Sequence, residues 1–275
     1  MRVGSVELHP VVDAWGELGE LAELYPGVPA EAWEPYRTLY PELFVESRWR
    51  LPCSSYLLRA GGVTVLVDTA VGPPGLWGWR PEREGDLVPG LAALGLEPGE
   101  VDAVFLTHAH IDHVGWNADA DGMPVFPNAR YLIHPDGLML ALNQRAEAPY
   151  VQRCLRSLTK RRLVDDVAAG EEIVAGVTTV DLPGHLPGHL GLRIGAQAML
   201  IADAAVHPAL LDQPDWIYAS DFDAEQSVTT RRLLLREVVD GDVLVVCGHY
   251  PDGGIGRVVR EDGRNVWVSA GVEEA

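Results

Sequence analysis

The segment Thr107-His108-Ala109-His110-Ile111-Asp112-His113 places three imidazoles and a carboxylate within six residues, straight after the largely apolar stretch 101–106. Neutral imidazole and carboxylate are donors that suit zinc and, after it, iron or manganese. His108 and His110 are two apart, so in extended chain both side chains point the same way. Asp112 and His113 follow where the chain begins to turn, and can address a second, neighbouring point. One loop cannot fill a metal's coordination sphere, and three later segments offer the remainder. The run Pro183-Gly184-His185-Leu186-Pro187-Gly188-His189 follows the strand-like stretch 177–182. Asp203 ends the apolar run 198–202, and His249 follows the apolar run 243–248. The same pattern thus recurs four times: a buried strand with His or Asp at its C-terminal end, where ligand sites of α/β sheets are expected. A lone histidine at one such place is more often structural; four placements together point to a metal centre.

The elements that must position these donors can be read from periodicity and punctuation. Residues 54–59 and 63–68 flank Gly61-Gly62 and predict a hairpin. Residues 101–107 form the strand that delivers the first donor cluster, and 131–134 and 177–182 are further strands. Residues 190–194 and 198–203 pair around Gly195-Ala196. A short helix over 86–94 stops at Gly95, and 225–239 is a longer helix whose apolar stripe is Val228, Leu233, Leu234, Leu235 and Val238. Residues 257–268 close the chain as a hairpin around Asp262-Gly263.

With these residues in place, the T-H-x-H-x-D-H run, the P-G-H-x-P-G-H run, the Asp after a strand and the late Gly248-His249-Tyr250-Pro251 resemble the metallo-β-lactamase-fold hydrolases, over roughly residues 52–268. The resemblance implies an α/β (α+β) fold, a four-layer αβ/βα sandwich forming a single domain over residues 1–275. It implies that His108, His110 and His185 hold one metal, that Asp112, His113 and His249 hold a second, and that Asp203 bridges the two. His189 falls where the family has a supporting histidine. The antibiotic-degrading branch usually has Cys at the bridging position; here Cys247, near His249, reads as a small core residue. The stretches Asp112 to Asn117, Phe126 to Tyr131 and His249 to Pro251 are similar to the lactonase and methyl-parathion-hydrolase-like group. Several lactonases carry Tyr three residues after the bridging Asp, aimed at the substrate carbonyl. Val206 stands there in this chain, so either His207 or Tyr250 supplies that hydrogen bond, or no residue does.

Composition narrows the partners. Among 275 residues, 40 acidic against 21 basic side chains leave a net charge of −19. That balance repels polyanions, whereas nucleic-acid binding needs Lys and Arg to displace counterions. A small-molecule substrate is the expected partner, with neither nucleic acid nor membrane. The basic cluster Arg153, Arg156, Lys160, Arg161 and Arg162 reads as a solvated helix face rather than an anion site. No stretch is long and apolar enough to span a bilayer, and the N-terminal segment is too interrupted for a signal peptide. Cys53, Cys154 and Cys247 are an odd, scattered set, which argues against a disulfide framework and for a reducing cytoplasm.

Two segments read as additions to the core. An N-terminal arm over about 13–50 carries Trp15, Tyr25, Trp33, Tyr36, Tyr40, Phe44 and Trp49, and a helical insertion covers about 135–165. The arm's rings either line an apolar pocket or bury an irregular segment against the body or a second subunit of a homodimer. Trp33 and Tyr36 are assigned to the buried arm. Trp77 and Trp79, on a Gly- and Pro-flanked loop, are assigned to the pocket. The reading is a dinuclear hydrolase in which two divalent ions, Zn2+ first and Fe or Mn as alternatives, share a bridging hydroxide that attacks a small lactone or carboxylic ester. Asp112 orients that nucleophile and passes a proton to the leaving group. Phosphotriester or thioester hydrolysis, and a non-haem di-iron oxidoreductase of the same fold, are the competing readings.

Overall fold

The fold follows from strands whose side chains alternate between two different cores. Tyr56, Leu58, Val65, Val67 and Phe105 face one way, while Leu57, Leu66 and Val104 face the other. A period of two on a sheet with both faces covered requires a layer on each side. The computed structural model describes residues 1–73, 85–239 and 241–271.

The N-terminal half supplies β1 (Arg2–Val3), β2 (Val6–Glu20), β3 (Phe44–Val45), β4 (Arg48–Ala60), β5 (Val63–Val67), β6 (Ala103–Phe105), β7 (Arg130–Ile133) and β8 (Val164–Asp166). They form one sheet in the order β1-β2-β4-β5-β6-β7-β8, with β3 also on β4; β5 to β8 run parallel. The C-terminal half supplies β9 (Glu172–Val174), β10 (Val177–Asp181), β11 (Leu190–Ile194), β12 (Ala198–Leu200), β13 (Leu244–Val246), β14 (Ile255–Glu261) and β15 (Arg264–Ser269). These form a second sheet in reverse chain order, antiparallel except where β12 lies parallel to β13.

Three apolar cores stack between the layers. Leu8, Leu58 and Val67 of the first sheet meet Leu192, Leu200 and Val246 of the second. Outside the first sheet, Leu57, Leu66 and Tyr131 pack on helical residues Leu87, Leu91, Leu138 and Leu155. Outside the second, Val245, Val258 and Trp267 pack on Leu234 and Val238 of the helix Ala224–Val238 and on the aromatic arm. The result is the four-layer αβ/βα sandwich.

The predicted helix over 225–239 spans Ala224–Val238, capped by the Asp223 carboxylate accepting from the Gln226 N–H at 3.0 Å. Its buried face differs from the expected stripe: Ser227, Thr230, Arg231, Leu234 and Val238 turn inward, and Leu233 is exposed. Buried arginine and hydroxyls hid that face from a count of apolar residues. The predicted hairpin at 54–68 is the end of a much longer ladder, because β2 pairs with β4 from Glu7 to Glu20. Register shifts at Val12/Ala14 and Glu17/Gly19 break the alternation, so β2 was not legible as a strand. The predicted strand over 101–107 is trimmed to β6, since the chain leaves the ladder for the donor loop.

In the N-terminal arm, Tyr25, Trp33, Tyr36, Tyr40 and Trp49 are all buried. Trp33 sits 4.9 Å from Tyr25 and 4.8 Å from Trp216 between ring centroids. Tyr36 donates to Asp212 at 2.6 Å, and Tyr40 donates to the Trp267 carbonyl at 3.1 Å. Trp33 and Tyr36 are thus part of a buried aromatic layer over the second sheet. Trp77 and Trp79 lie outside the described residues.

Candidate metal centre

Each donor is delivered by a strand end and locked by backbone contacts. Beyond β6, the Thr107 N–H and hydroxyl donate to the Asp68 carboxylate at 2.8 and 2.9 Å, which joins the ends of β5 and β6. His110 then opens a single helical turn, Ile111–Val114. That turn is docked on residues 69–72 by three backbone bonds: Thr69 N–H to the His113 carbonyl at 2.8 Å, Gly115 N–H to Ala70 at 2.8 Å, and Trp116 N–H to Thr69 at 2.9 Å. The approach is so close that a Cβ on Gly115 would lie 2.1 Å from the Val71 carbonyl carbon. Gly184, with φ +127°, makes the turn after β10 that presents His185; a Cβ there would lie 2.4 Å from the Ser227 backbone nitrogen.

These loops bring seven donors to one end of the sandwich in two groups. In the first, His110 Nδ1 lies 3.0 Å from His108 Nε2 and 2.9 Å from His185 Nε2. Asp203 Oδ2 is 3.2 Å from His185 Nε2 and 3.6 Å from His108 Nε2. In the second, Asp203 Oδ1 is 3.3 Å from both His113 Nε2 and His249 Nε2, and Asp112 Oδ2 is 3.7 Å from His249 Nε2. The expected donors His108, His110, Asp112, His113, His185, Asp203 and His249 are therefore together, with each Asp203 oxygen facing a different set. Cys53 Sγ lies within 4.8 Å of the Asp112 and His249 donors.

The donor set fits divalent metal on two grounds. Ligands around a tetrahedral zinc lie about 3.3 Å apart, close to these spacings. Moreover, His113 Nε2 and Asp203 Oδ1 are buried without a hydrogen-bond partner among the described residues. Leaving such atoms dry and unpaired is costly unless something else binds them.

Behind three of the donor imidazoles stands an orienting group. His113 Nδ1 meets Asp68 Oδ2 at 2.8 Å, His185 Nδ1 meets Asp221 Oδ1 at 3.1 Å, and His249 Nδ1–H donates to the Pro52 carbonyl at 2.9 Å. Asp221 is in turn held by Arg231 at 3.1 Å, both side chains being 1 % exposed. His189 lies outside both groups: its Nδ1–H donates to the Leu182 carbonyl at 2.8 Å and its Nε2 accepts the Asp203 N–H at 3.1 Å. Such partners choose the tautomer and aim of a donor imidazole.

Electrostatics divides the histidines. Burial pushes His108 and His110 well below the ordinary range, aided by neighbouring imidazoles, and so keeps them neutral. Burial also opposes charge on His185, but the Asp203 and Asp221 carboxylates outweigh it and lift the ring to about 9. Burial drives His189 down to about 4. Burial works against the Asp203 anion too, yet His113, His249 and His108 hold it well below the usual carboxylate range.

Neither group expected to replace the lactonase tyrosine reaches this centre. His207 is fully buried among Trp33, Tyr40, Phe44 and Trp49; burial pushes it down to about 3, and its Nδ1 accepts the Ala209 N–H at 3.0 Å. The Tyr250 hydroxyl is used up by the Ala205 carbonyl at 2.7 Å. The correction has a simple cause: both follow a donor in sequence, but their side chains turn into the aromatic core behind it. A cavity of about 440 Å3 opens over the donors instead, bordered by Trp49, Leu51, Ile111, Val206, Tyr218 and Arg145. The Tyr218 ring stacks on His185 at an interplanar angle of 11°. Asp68 was within reach of sequence reasoning, since it too ends a strand. Tyr218, Asp221 and Arg145 come from irregular segments and a helix end, and carried no such signal.

Comparison with known proteins agrees with this geometry. Residues 48–249 match the family model described as the metallo-beta-lactamase superfamily. The N-acyl homoserine lactonase AttM of Rhizobium radiobacter is 27% identical over 230 residues, 74% of this chain and 84% of that protein. The N-acyl homoserine lactonase AiiB of Agrobacterium fabrum is 28% identical over 180 residues, 56% of this chain, which spans 63% of that relative's length. A solved structure of AidC, a dizinc quorum-quenching lactonase in complex with a product, superposes with a TM-score of 0.83 at 20% identity, covering 100% of this chain and 97% of that one. The strand-end donors, the two facing sheets and a family match over most of the length have one reading: this chain belongs to the metallo-beta-lactamase superfamily.

Proposed function

We propose that the chain is a metal-dependent hydrolase of small lactones or related carboxylic esters, working with two zinc ions. The observation that carries the reading is the placement of Asp203, whose two oxygens face two separate sets of buried donors. His108, His110 and His185 would hold one ion, Asp112, His113 and His249 the other, and Asp203 both. Metal in such a site supplies a water acidic enough to be a nucleophile near neutral pH and an electrophile for the substrate oxygen.

The chain's own residues do the rest. Asp112 belongs to the donor set and is also 18 % exposed toward the cavity, so its carboxylate can take up a proton from the attacking water and deliver it to the departing alkoxide. Trp49, Leu51, Ile111 and Val206 offer an apolar wall for a hydrocarbon chain. Tyr218, which lines the cavity on the face of His185, would be the tyrosine that meets a substrate oxygen. The names of the sequence relatives favour a lactone among the esters. Metal content per chain, measured with rates on a matched lactone, ester, thioester and phosphotriester, tests the reading. Two equivalents of zinc with fastest turnover of the lactone is the expected result. Iron with oxygen consumption, or fastest turnover of the phosphotriester, would replace it.

A further inference from the structure

We infer that the cavity takes a substrate carrying a second, anionic group, a carboxylate or a phosphate, which Arg145 grips at the rim while the ester or lactone lies over the metal donors. The inference rests on the hydrolase reading above and adds the charge of the substrate to it.

Three observations carry it. First, Arg145 is exposed, borders the cavity, and is the one Lys or Arg among the described residues that do so. Its guanidinium makes one hydrogen bond among the described residues, a long 3.5 Å contact to the Tyr150 hydroxyl, and has no carboxylate partner there. Several other arginines of this acidic surface do have carboxylate partners: Arg48 with Glu17 and Glu20, Arg130 with Asp165, Arg193 with Glu237, Arg232 with Asp215, Arg257 with Asp242.

Second, Arg145 belongs to a locally basic segment. Residues 135–162 hold six basic side chains (Arg145, Arg153, Arg156, Lys160, Arg161, Arg162) and two acidic ones (Asp136, Glu147), whereas the whole chain carries −19. The segment folds beside the centre: Cys154 Sγ contacts the Gly115 carbonyl and Asn117 donates to the Cys154 carbonyl at 3.2 Å. Within it, Nε and Nη2 of Arg153 and Nε of Arg156 are buried without a hydrogen-bond partner among the described residues. Lys160, Arg161 and Arg162 of the basic run are exposed, as a solvated face, while Arg145 of the same segment borders the cavity. A cation at the cavity favours anions over neutral molecules of the same shape.

Third, the cavity's lining is chemically mixed. Trp49, Leu51 and Val206 offer apolar surface, and Arg145 and Ser220 offer polar groups. A guanidinium fork matches a carboxylate or phosphate in two parallel hydrogen bonds, which fixes orientation as well as charge.

The test uses zinc-loaded enzyme and γ-lactones with one side chain ending in a carboxamide, a carboxylate or a phosphate. The expected result is a kcat/KM at least tenfold higher for one of the anionic lactones than for the amide, carried by KM and shrinking as KCl is raised. Which anion leads separates the two sources. Arg145→Gln should cost the anionic lactones at least tenfold more than the amide, and Arg145→Glu should invert the order. Equal kcat/KM for all three lactones, or an equal loss across the series in Arg145→Gln, would overturn the inference while leaving the hydrolase standing. If no lactone turns over, calorimetric binding of glutarate against glutaramide decides. Tenfold tighter glutarate binding, lost in Arg145→Gln, keeps the anion site and removes the lactonase; equal binding removes both.

Discussion

His189 holds the backbone of Asp203, not the position of a donor: its Nε2 accepts the Asp203 N–H at 3.1 Å while its other nitrogen is tied to the Leu182 carbonyl. The two histidines of one Pro-Gly-His-x-Pro-Gly-His run thus differ in kind, since His185 lies among the donors. His185→Ala should abolish retention of the metal it shares with His108 and His110, with activity lost in parallel. His189→Ala should weaken metal affinity and turnover by about 10–100-fold, as supporting groups do. Competition with a chelator on both variants measures this, and a reversed ranking would refute the division.

Asp203 should control both metal positions at once. Asp203→Ala is expected to drop zinc from two equivalents to below one per chain, because each carboxylate oxygen serves a different set. His249→Ala should remove a single equivalent. Elemental analysis after gel filtration separates the two; an Asp203→Ala protein that keeps both metals would show that the bridge is not needed.

The Arg231–Asp221 pair behind His185 offers a test of buried charge. Arg231→Met leaves Asp221 buried beside one imidazole only, and breaking a buried pair from one side costs about 3–5 kcal/mol. Asp221→Asn leaves the buried Arg231 charge without its partner, at a similar cost, and should in addition loosen the metal at His185 by about 10–100-fold. Denaturant midpoints and metal titrations on the two variants check both halves. Unchanged metal affinity in Asp221→Asn would mean that the carboxylate does not aim the ring.

The aromatic arm is expected to contribute to stability rather than to specificity at Trp33. Its ring is buried against Tyr25, Trp216 and His207, so Trp33→Ala should cost about 3–5 kcal/mol. KM in the folded fraction should stay unchanged. A shifted acyl preference with an unchanged melting temperature would move Trp33 into the pocket.

Asp13 gives the pH prediction. Its carboxylate sits in the β2 bulge, accepting from Val71 N–H at 3.0 Å, Leu87 N–H at 2.8 Å and Trp116 Nε1–H at 2.9 Å. Burial nonetheless dominates and raises it from 3.8 to about 6. The folded protein therefore holds this proton more tightly than the unfolded chain does. The stabilisation is complete below about pH 4 and is lost as pH rises through 6, up to about 3 kcal/mol for a shift of this size. Asp13→Asn should be less stable throughout, having lost an acceptor, but should lack that slope. Parallel slopes for both proteins between pH 4 and 6 would sink the assignment.

The donor set was legible in the sequence, and the reason is local. Metal chemistry limits the residue types, and strand ends limit where they stand, so His108, His110, Asp112, His113, His185, Asp203 and His249 could each be read from a short window. Helix Ala224–Val238 and the closing hairpin were legible for the same reason: periodicity and turn residues act over a few neighbours. What the tertiary structure alone decided are relations across long separations. Tyr218 rather than His207 or Tyr250 borders the cavity, because which way a side chain turns depends on the aromatic layer that Trp33, Phe44 and Trp49 build around His207. Asp221 meets His185 at 3.1 Å and is held by Arg231 at 3.1 Å, though His185 stands far from both in the chain. Arg145, at the end of its helix, borders the cavity, and spacing along the chain holds no record of a contact made by packing.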